Sequence, residues 1–453
     1  MTARRLVVLG ATGDLTGRYL LAALAELDST GLAPPGLPVV GVARDPWDTA
    51  RFRTHAAERL ARHAAHLPPA ARDRLVGRLR YVAGDVTDPA VVAAAVGPDA
   101  DATVAYLALP PAVFAPAVEA LAAAGLSGAS RVVAEKPFGT DRASAAALNC
   151  LLHRHFPERA VFRMDHFLGK QTVQNILGAR FGNRVFEPAW NRDHVEGVDI
   201  VWHETVALEG RAAYYDHAGA LRDMVQNHLL QLLCLIAMER PASLDERELR
   251  DRKVELLGSV RALSPDEVAN LTRRGRYGAG TVEGRHLPDY VDEAGVDAAR
   301  QTETMADVTL FVDNPRWQGV PFRLVTAKAM AADRREIVVR FRPVAEPVFG
   351  VESGPPCNRL VLEMAPDRMV LDLALNGRGD PFRLEPASLE LMLSPQDCSA
   401  YARLLALALE GDPALSIRGD EAEECWRIVE PILAEWSRGR PPLDTYPAGS
   451  GDV

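Results

Sequence analysis

The strand, glycine turn and helix at the amino terminus constrain the fold of this chain more than any other stretch. Residues 5–9 read RLVVL and lead into GATGDLTG at residues 10–17, followed by an amphipathic helix through Leu27. Dinucleotide-binding folds begin in this order. Glycines allow the backbone to turn tightly and to approach a pyrophosphate, which rests on the N-terminus of the helix. The stretch therefore predicts a nucleotide-cofactor cleft.

The next strand bears on the choice of cofactor. It runs from Pro38 to Ala43 and ends in Arg44 and Asp45. Residues at this strand end face the adenosine ribose. Arg44 would bind a 2′-phosphate, whereas Asp45 would prefer a free 2′-hydroxyl. At this point the residues leave NADP and NAD both open.

Further strands alternate with helices through the first 150 residues. The predicted strands are Leu79–Ala83, Ala102–Ala108 and Ser130–Ala134, and residues 48–80 indicate a pair of solvated, Arg- and His-rich helices. This alternation predicts a parallel, doubly wound sheet. Ligands of such sheets lie outside the carboxyl ends of the strands. Lys136, in EKPFG at residues 135–139, is therefore expected at the mouth of the cofactor cleft, followed by a Pro137 whose peptide bond is a candidate for the cis form.

The stretch FRMDHFLGKQTVQNIL, residues 162–177, combines a carboxylate, a histidine and a lysine with apolar neighbours. Partly buried Asp165, His166 and Lys170 need partners. Gly169 is expected to let the chain turn so that Lys170 reaches the same place as its neighbours. A helix is predicted from Thr172 to Arg180, and donors ahead of a helix N-terminus make an anion site.

The pattern changes after residue 177. Predicted strands follow one another with few helices between them, at Val195–Glu204, Asp307–Val312, Pro321–Ala327, Arg335–Phe341, Leu360–Met364 and Met369–Leu375. Such a series predicts an antiparallel sheet. Helices are expected at 397–410 and 421–436, and a long loop or flap at 263–293. The predicted fold class is an α/β Rossmann-like, doubly wound parallel sheet plus a C-terminal α+β domain with a large, mostly antiparallel sheet, divided as 1–177 and 178–453.

A long apolar helix is predicted from Met224, with His228 near its start. A carboxylate that fixes the tautomer of a histidine makes it a general base. Asp223 is badly placed for this, because five residues along a helix differ by about 140° in facing. Asp165 is the better candidate partner.

Length, charge and cysteine content bound the remaining functions. A chain of 453 residues is too long for one core, so two domains are the default. A net charge of -10 and a pI near 5.6 argue against nucleic acid as the partner. The five cysteines are scattered without a CxxC pair, so no metal site and no disulfide framework is expected. No signal peptide and no membrane-spanning run is seen, and we expect a cytoplasmic protein.

The motifs together resemble the glucose-6-phosphate dehydrogenase family over nearly the whole chain. They are GATGDL at Gly10, GVAR at Gly41, YLALPP at Tyr106, EKPFGTD at Glu135, RMDHFLGK at Arg163, YYDHAGALRDMVQNHLLQLL at Tyr214, TETMADVTLFVDNPRWQGVPF at Thr302 and YPAGS at Tyr446. The resemblance implies oxidation of the C1 hydroxyl of glucose 6-phosphate to a lactone, with hydride transfer to NADP, NAD being the alternative. It implies a sugar phosphate as the small-molecule partner, no nucleic acid and no membrane.

The resemblance also assigns roles to single residues. His228 resembles the general base, and Asp165 its carboxylate partner. His166 and Lys170 resemble the phosphate ligands. Sugar hydroxyls would be accepted by Glu204 and Asp223, and the sugar pocket would be lined by Lys136 and Lys328. The residues that resemble cofactor contacts are Gly10, Thr12, Gly13, Asp14, Leu15 and Arg44, with Lys136 beside them.

Three departures from the family pattern keep alternatives open. Phe167 replaces a tyrosine, the residues after GATGDLT lack the family's lysines, and residues 325–328 read VTAK rather than RTGK. One alternative is the same C1 oxidation on another or an unphosphorylated sugar. Another is a non-catalytic paralogue that binds cofactor or sugar phosphate. An exposed antiparallel sheet often pairs across a two-fold axis, so a homodimer or homotetramer is expected.

Overall fold

The computed structural model describes residues 3–98, 100–126, 128–345, 358–377 and 383–453. The chain folds into two compact units. The first comprises the chain up to Lys170 together with Pro241–Asp251 and Gln396–Glu423, and the second comprises Gln171–Arg240, Arg252–Pro395 and the chain from Glu424 onward. The single boundary between residues 177 and 178 stays a prediction.

The α-helices, numbered in chain order, are α1 Leu21–Thr30, α2 Thr49–His63, α3 Pro69–Arg78, α4 Pro89–Val96, α5 Phe114–Ala123, α6 Arg142–His155, α7 Gln171–Gly182, α8 Ala212–Ala220, α9 Leu230–Ala237, α10 Glu246–Ser259, α11 Pro265–Leu271, α12 Ala400–Glu410 and α13 Gly419–Ser437. Two segments are π-helical, Thr16–Leu20 before α1 and Leu221–Leu229 before α9. Short 3₁₀ turns lie at Ala100–Ala102, Pro111–Val113, Glu158–Ala160, His166–Gly169, Glu187–Ala189, Tyr290–Asp292 and Ala298–Arg300.

The strands, also in chain order, are β1 Arg5–Leu9, β2 Val39–Ala43, β3 Leu79–Ala83, β4 Thr103–Leu107, β5 Arg131–Glu135, β6 Val161–Met164, β7 Val195–His203, β8 Thr272–Gly278, β9 Gly280–Val282, β10 Arg285–Leu287, β11 Met305–Phe311, β12 Pro321–Ala327, β13 Arg334–Phe341, β14 Arg359–Met364, β15 Asp367–Asn376, β16 Leu384–Met392 and β17 Leu443–Pro447.

The first unit is built on a six-stranded sheet in the order β3-β2-β1-β4-β5-β6. All of its pairings are parallel, as β1 shows with β2 on one side and β4 on the other. Its central strands are buried on both faces, which explains why they appear in the sequence as unbroken apolar runs. The strand order reverses between β1 and β4, the point at which such sheets bind ligands.

The second unit contains a nine-stranded sheet in the order β16-β15-β14-β13-β7-β12-β11-β8-β17. Its pairings are antiparallel except for β7 with β12 and β8 with β17. A separate pair, β9 and β10, lies outside this sheet. A parallel sheet in one unit and a mostly antiparallel sheet in the other confirm the predicted fold class.

The prediction of a long loop at 263–293 is wrong. The segment contains α11 and the strand β8, which pairs with both β11 and β17. The sequence TRRGRYG is charged and contains glycine, and this composition indicated a loop. Gly275 pairs with Met305 of β11, and a Cβ on it would lie 2.9 Å from the methyl carbon of that flexible side chain. Pairing with β11 and β17, rather than the composition of the segment, therefore makes β8 a strand.

Other elements were not predicted at all. They include β6, which leads directly into Asp165, and the two edge strands β16 and β17. Most residues of β16 are exposed and alternate poorly, so its sequence has no half-buried pattern. Within the described ranges, no helix is both long and apolar enough to span a bilayer.

Candidate active site

Gly10 ends β1 in a conformation that only glycine adopts readily. Its φ is 88°, and a Cβ placed on it would lie 2.1 Å from the carbonyl oxygen of Ala108. The backbone then passes through Gly13, whose N–H donates to the Gly10 carbonyl at 3.1 Å. The hydroxyl of Thr16 donates to the same carbonyl at 3.1 Å. The turn is therefore held by its own hydrogen bonds and by the strand beside it.

This turn fits a dinucleotide. The following helix begins at Asp14, directly after Gly13, which has no side chain to cap it, so its N-terminus offers backbone N–H groups to a phosphate. The carboxylate of Asp14 would repel a phosphate, but it pairs with Arg59 at 2.7 Å and with Arg18 at 3.4 Å. The residues present therefore suit the pyrophosphate of a dinucleotide cofactor.

The two residues after β2 face different surroundings. Arg44 is exposed, whereas Asp45 is half-buried. The Thr12 hydroxyl donates a hydrogen bond of 2.7 Å to Oδ2 of Asp45, so this carboxylate points toward the glycine turn. The backbone carbonyl of Asp45 accepts from the hydroxyl of Tyr81 at 2.8 Å. Asp45 is thereby fixed at the strand end where the adenosine ribose would lie.

Lys136 follows β5, and the peptide bond between it and Pro137 is cis, as proposed from the sequence. The residue before it, Glu135, accepts hydrogen bonds from the hydroxyls of Tyr106 and Tyr401. Burial raises the pKa of the Glu135 carboxyl. Tyr401 belongs to α12, so a residue far along the chain hydrogen-bonds to the last residue of β5.

Asp165 directly follows β6 and is 1% exposed. Its Oδ1 accepts the backbone N–H of Phe167 at 3.0 Å, which fixes the short 3₁₀ turn His166–Gly169. The ring of His166 lies edge-on to Phe167 with the centroids 4.9 Å apart. The ammonium of Lys170 is 5.8 Å from the centroid of the Phe167 ring. His166 and Lys170 thus both lie close to the ring of a buried phenylalanine.

Gly169 serves close packing rather than the turn that the sequence suggested. It is absent from the described residues with positive φ. A Cβ on it would lie 2.3 Å from the carbonyl oxygen of Ala400, at the start of α12. The side chain of Gln396 also donates to the Gly169 carbonyl at 3.3 Å. The turn that carries His166 is therefore packed tightly against the chain ahead of α12 and its first residue.

Glu204 and Lys328 form an ion pair in the second unit. They follow β7 and β12, neighbouring strands that run parallel, so their carboxyl ends lie side by side. The ammonium of Lys328 lies 2.7 Å from Oε2 of Glu204, and both side chains are largely buried, with 13% and 22% exposed. The indole N–H of Trp202 donates to Oε1 of Glu204 at 3.4 Å.

Asp223 and His228 lie on the π-helical segment Leu221–Leu229. Its hydrogen bonds span one residue more than those of an α-helix, a geometry that is rare and frequent at functional sites. His228 is 1% exposed, and its backbone N–H donates to the side-chain oxygen of Asn227. The predicted helix is thus present, but its pitch was not predicted.

Two adjacent tyrosines bring these residues of the second unit together. The hydroxyl of Tyr214 donates to Oδ1 of Asp223 at 3.3 Å. The ammonium of Lys328 lies 5.2 Å from the centroid of the Tyr215 ring. Burial, followed by the nearby charges of Asp223 and Glu303, raises the pKa of Tyr215. Asp223, Glu204 and Lys328 therefore surround the start of α8.

The predicted site residues divide between the two units. The first unit holds Gly10, Thr12, Gly13, Asp14, Leu15, Arg44, Lys136, Asp165, His166 and Lys170, and the second holds Glu204, Asp223, His228 and Lys328. The partnership of Asp165 with His228 stays a prediction. Tyr106, Glu135 and Tyr401 were not predicted as site residues, although Tyr106 and Glu135 each open a motif of the sequence.

Two family models match the chain end to end. One is described as glucose-6-phosphate dehydrogenase, NAD binding domain, and covers residues 7–175. The other is described as glucose-6-phosphate dehydrogenase, C-terminal domain, and covers residues 177–452.

Similar proteins carry the same description. A glucose-6-phosphate 1-dehydrogenase of Gluconobacter oxydans is 42% identical over 98% of this chain and 93% of its own length. The corresponding protein of Mycolicibacterium smegmatis is 41% identical over 98% and 93%. A solved glucose-6-phosphate dehydrogenase in complex with its substrate glucose-6-phosphate is 30% identical with a TM-score of 0.90, covering 100% of this chain and 96% of that chain. The crystal structure of glucose-6-phosphate 1-dehydrogenase from Mycobacterium avium is 34% identical with a TM-score of 0.87, covering 99% of this chain and 95% of that chain.

Proposed function

The chain belongs to the glucose-6-phosphate dehydrogenase family, and on this premise we propose that it oxidises glucose 6-phosphate at C1 to 6-phosphogluconolactone. The family is one of oxidoreductases with a nicotinamide cofactor. The observation that carries the proposal is the grouping of Glu204, Lys328 and Asp223 around the start of α8. This group offers the acceptors and the cation that a sugar needs, on the unit that also holds His228.

His228 acts as the general base in this proposal. The imidazole takes the proton of the C1 hydroxyl, and Asp165 fixes its tautomer and stabilises the imidazolium that forms. The burial of both side chains, each 1% exposed, supports these roles because it strengthens their electrostatic effect. A nicotinamide cofactor, when bound, accepts the hydride from C1.

The sugar is oriented by hydrogen bonds and by charge. Carboxylates of Glu204 and Asp223 accept from its hydroxyls, while Lys328 and Lys136 donate to its oxygens. The ion pair of Lys328 with Glu204 supports this division, since it holds the two groups in a fixed relative position before the sugar arrives.

His166 and Lys170 bind the phosphate in this proposal. The two donors flank Phe167, whose ring occupies the place of the family's tyrosine. Phe167 is 4% exposed and supplies no hydroxyl, so the phosphate relies on the donors of His166 and Lys170.

The test compares sugars and cofactors in one assay of cofactor reduction. Glucose 6-phosphate, free glucose and other hexose phosphates are each offered with NADP and with NAD. We expect turnover with glucose 6-phosphate and much less with free glucose. Equal turnover of free glucose would favour the unphosphorylated-sugar alternative, and no reduction with any sugar would favour a non-catalytic binding protein.

A variant of Lys170 tests the phosphate site. Lys170→Ala should raise KM for glucose 6-phosphate, because a charge-assisted hydrogen bond is lost. The loss of binding free energy should be about 1.5–3 kcal/mol. KM for free glucose should not change. Arg80→Ala removes an exposed cation of the same unit and serves as the matched control. Equal losses with both sugars would show that no phosphate lies at Lys170.

Both nicotinamide cofactors are used in this proposal, with NADP preferred. The exposed Arg44 is available to pair with a 2′-phosphate in a planar, bidentate way. The Asp45 carboxylate, which Thr12 holds toward the glycine turn, can accept from the 2′-hydroxyl of NAD.

Self-association of the chain and a cytoplasmic location complete the proposal. One face of β15 and β16 carries exposed apolar side chains, among them Leu375, Leu389 and Leu391, which are 54%, 62% and 53% exposed. β16 is an edge strand. A second copy that covers this face would give the homodimer or homotetramer expected. Sedimentation velocity of the wild type and of Leu389→Glu would test this, since a monomeric wild type excludes the idea.

A further inference from the structure

A buried carboxylate fills the N-terminus of the helix that carries Asp223 and His228. Glu303 is 7% exposed, and its Oε1 accepts the backbone N–H of Leu221 at 3.0 Å. The backbone carbonyl of Glu303 accepts the N–H of Ala220 at 3.1 Å. Two consecutive amides at the helix start are therefore satisfied by one residue, which lies on the loop before β11. An anion at this end is also favoured by the helix dipole.

Gly219 leaves the space that the carboxylate needs. Its φ is 69°, and a Cβ on it would lie 2.4 Å from Oε1 of Glu303. Gly219 lies within the bounds of α8 but its backbone is not helical, so the chain kinks there, two residues before the π-helical segment. The helix therefore does not continue straight from α8, and its start is fixed by Glu303 instead.

The residue after Glu303 is bonded to the sugar-binding pair. The Thr304 carbonyl accepts the backbone N–H of Lys328 at 3.1 Å. The hydroxyls of Thr304 and Tyr446 are hydrogen-bonded at 2.7 Å, and Tyr446 in turn donates to the Lys328 carbonyl at 2.9 Å. Glu303 and Thr304 thus connect the start of the His228 helix with the backbone of Lys328, whose ammonium pairs with Glu204.

We propose that Glu303 is a positioning residue for the oxidation, fixing the start of the helix so that His228 and Asp223 meet a sugar held at Lys328 and Glu204. This inference rests on the proposed function, because it acts through His228. Its consequence is geometric: without the bond to Leu221, the first turn of the helix shifts relative to Lys328. A displacement of about 1 Å at reacting groups can lower a rate by about a hundredfold.

The same helix offers a matched control at its other end. Arg180 donates to the carbonyl of Leu235 at 2.6 Å and to that of Met238 at 2.7 Å, so it caps the C-terminus of α9. Arg180 is buried as Glu303 is, and Leu235 follows His228 by as many residues as Leu221 precedes it. Arg180→Lys weakens this cap without touching the connection to Lys328.

The experiment measures kcat and both KM values for Glu303→Ala, Glu303→Gln and Arg180→Lys at a temperature below the Tm of each. Glu303→Ala should lose about tenfold or more in kcat, with the cofactor KM changed by less than about threefold. Glu303→Gln should retain kcat to within about threefold, because its amide oxygen still accepts from Leu221. The deuterium isotope effect on kcat with C1-deuterated glucose 6-phosphate should rise in Glu303→Ala, since the chemical step becomes slower.

Three outcomes would overturn the inference. The first is a folded Glu303→Ala protein with the kcat of the wild type. The second is a loss of kcat that is proportional to the loss of Tm, with the same proportion in Glu303→Ala and Arg180→Lys. The third is a Glu303→Gln protein whose kcat is as low as that of Glu303→Ala. The proposed function fails separately, if His228→Asn keeps its turnover. An inactive His228→Asn beside a fully active Glu303→Ala would refute the positioning role alone.

Discussion

The helix that follows Gly10 and the helix that follows Gly219 begin alike and differ in what occupies their N-termini. Each glycine has a positive φ, 88° and 69°. Each is followed by a π-helical segment, Thr16–Leu20 in the first unit and Leu221–Leu229 in the second, which continues as an α-helix. The N-terminus after Gly10 has no side-chain cap, whereas the one after Gly219 holds the buried carboxylate of Glu303.

This difference indicates what each helix start can do. An N-terminus whose backbone N–H groups no carboxylate caps can bind an anionic ligand, such as the pyrophosphate of a nicotinamide cofactor. An N-terminus that already holds a carboxylate repels a second anion, so it serves to fix the residues of its own helix. A glycine turn ahead of a helix is therefore not sufficient to identify an anion site. The group that the surrounding chain places at the helix N-terminus decides whether an anion can bind.

The largest expected effect is at the second helix. His228→Asn should lower kcat by about 10²–10⁴-fold, because a positioned base is lost. The dissociation constant of NADP, measured by fluorescence titration, should stay unchanged, because the cofactor turn lies on the other helix. Near wild-type turnover would show that His228 is not the general base and that the helix after Gly219 does not carry the catalytic residue.

A pair of glycine variants should separate the two helix starts. In Gly10→Ala the new Cβ meets a backbone carbonyl, that of Ala108 at 2.1 Å, which cannot move aside. We expect an unfolding free energy lower by about 1–3 kcal/mol and weaker NADP binding. In Gly219→Ala the new Cβ meets the Glu303 carboxylate, so kcat should fall while NADP binding is retained.

Calorimetry with and without NADP would check both variants. Two results would contradict the assignment of cofactor binding to the helix after Gly10. One is that Gly219→Ala weakens NADP binding as much as Gly10→Ala does, and the other is that Gly10→Ala binds NADP like the wild type.

A smaller effect is expected at the ribose end of the first cleft. Asp45→Ser should raise kcat/KM for NADP several-fold, by about 1 kcal/mol, because a carboxylate near a 2′-phosphate is removed. The value of kcat/KM for NAD should fall, because the carboxylate that accepts from the 2′-hydroxyl of the ribose is lost. A ratio of the two cofactors that does not move would place Asp45 outside the ribose site. Asp48→Ser, which changes an exposed helix cap, is the control.

The smallest effect concerns the pH dependence of stability at Glu303. Burial raises the pKa of this carboxyl above 4.5 in the folded protein, against opposing contributions from the Leu221 N–H and from Arg222 and Arg274. A raised folded pKa gives stability that is present below the unfolded pKa and lost as pH rises through the folded one. Glu303→Gln stays neutral, so it should raise Tm at pH 7, and the gain should shrink as the pH is lowered toward 4.5. A gain independent of pH would contradict the raised pKa.

The parallel sheet could be predicted from the sequence because its strands are buried on both faces. Strands β1, β2 and β4 are continuous apolar runs, and each lies within a residue or so of its predicted bounds. The second sheet was less predictable at its margins. β8 is charged, and β16 is mostly exposed, so pairing with neighbouring strands rather than their own side chains makes them strands.

The candidate site shows the same division. The motifs predicted roles for Lys136, Asp165 and His228, because residues of these types at strand and helix ends suit acid–base chemistry and anion binding. They did not identify Tyr401, which donates to Glu135 from a helix far along the chain, or Glu303, which bonds to Leu221 across 82 positions. Such contacts leave no local pattern.

The sequence by itself determined the family, the order of strands and helices around the cofactor turn, and the residue types available for chemistry. These properties depend on local patterns of apolar residues, glycines and charges, which are present before the chain folds. Only the tertiary structure decided which helix start is capped, where the Asp45 carboxylate points and why Gly169 is a glycine. Each of these depends on what a distant segment places within about 3 Å, and a hydrogen bond or a steric contact acts only at that range.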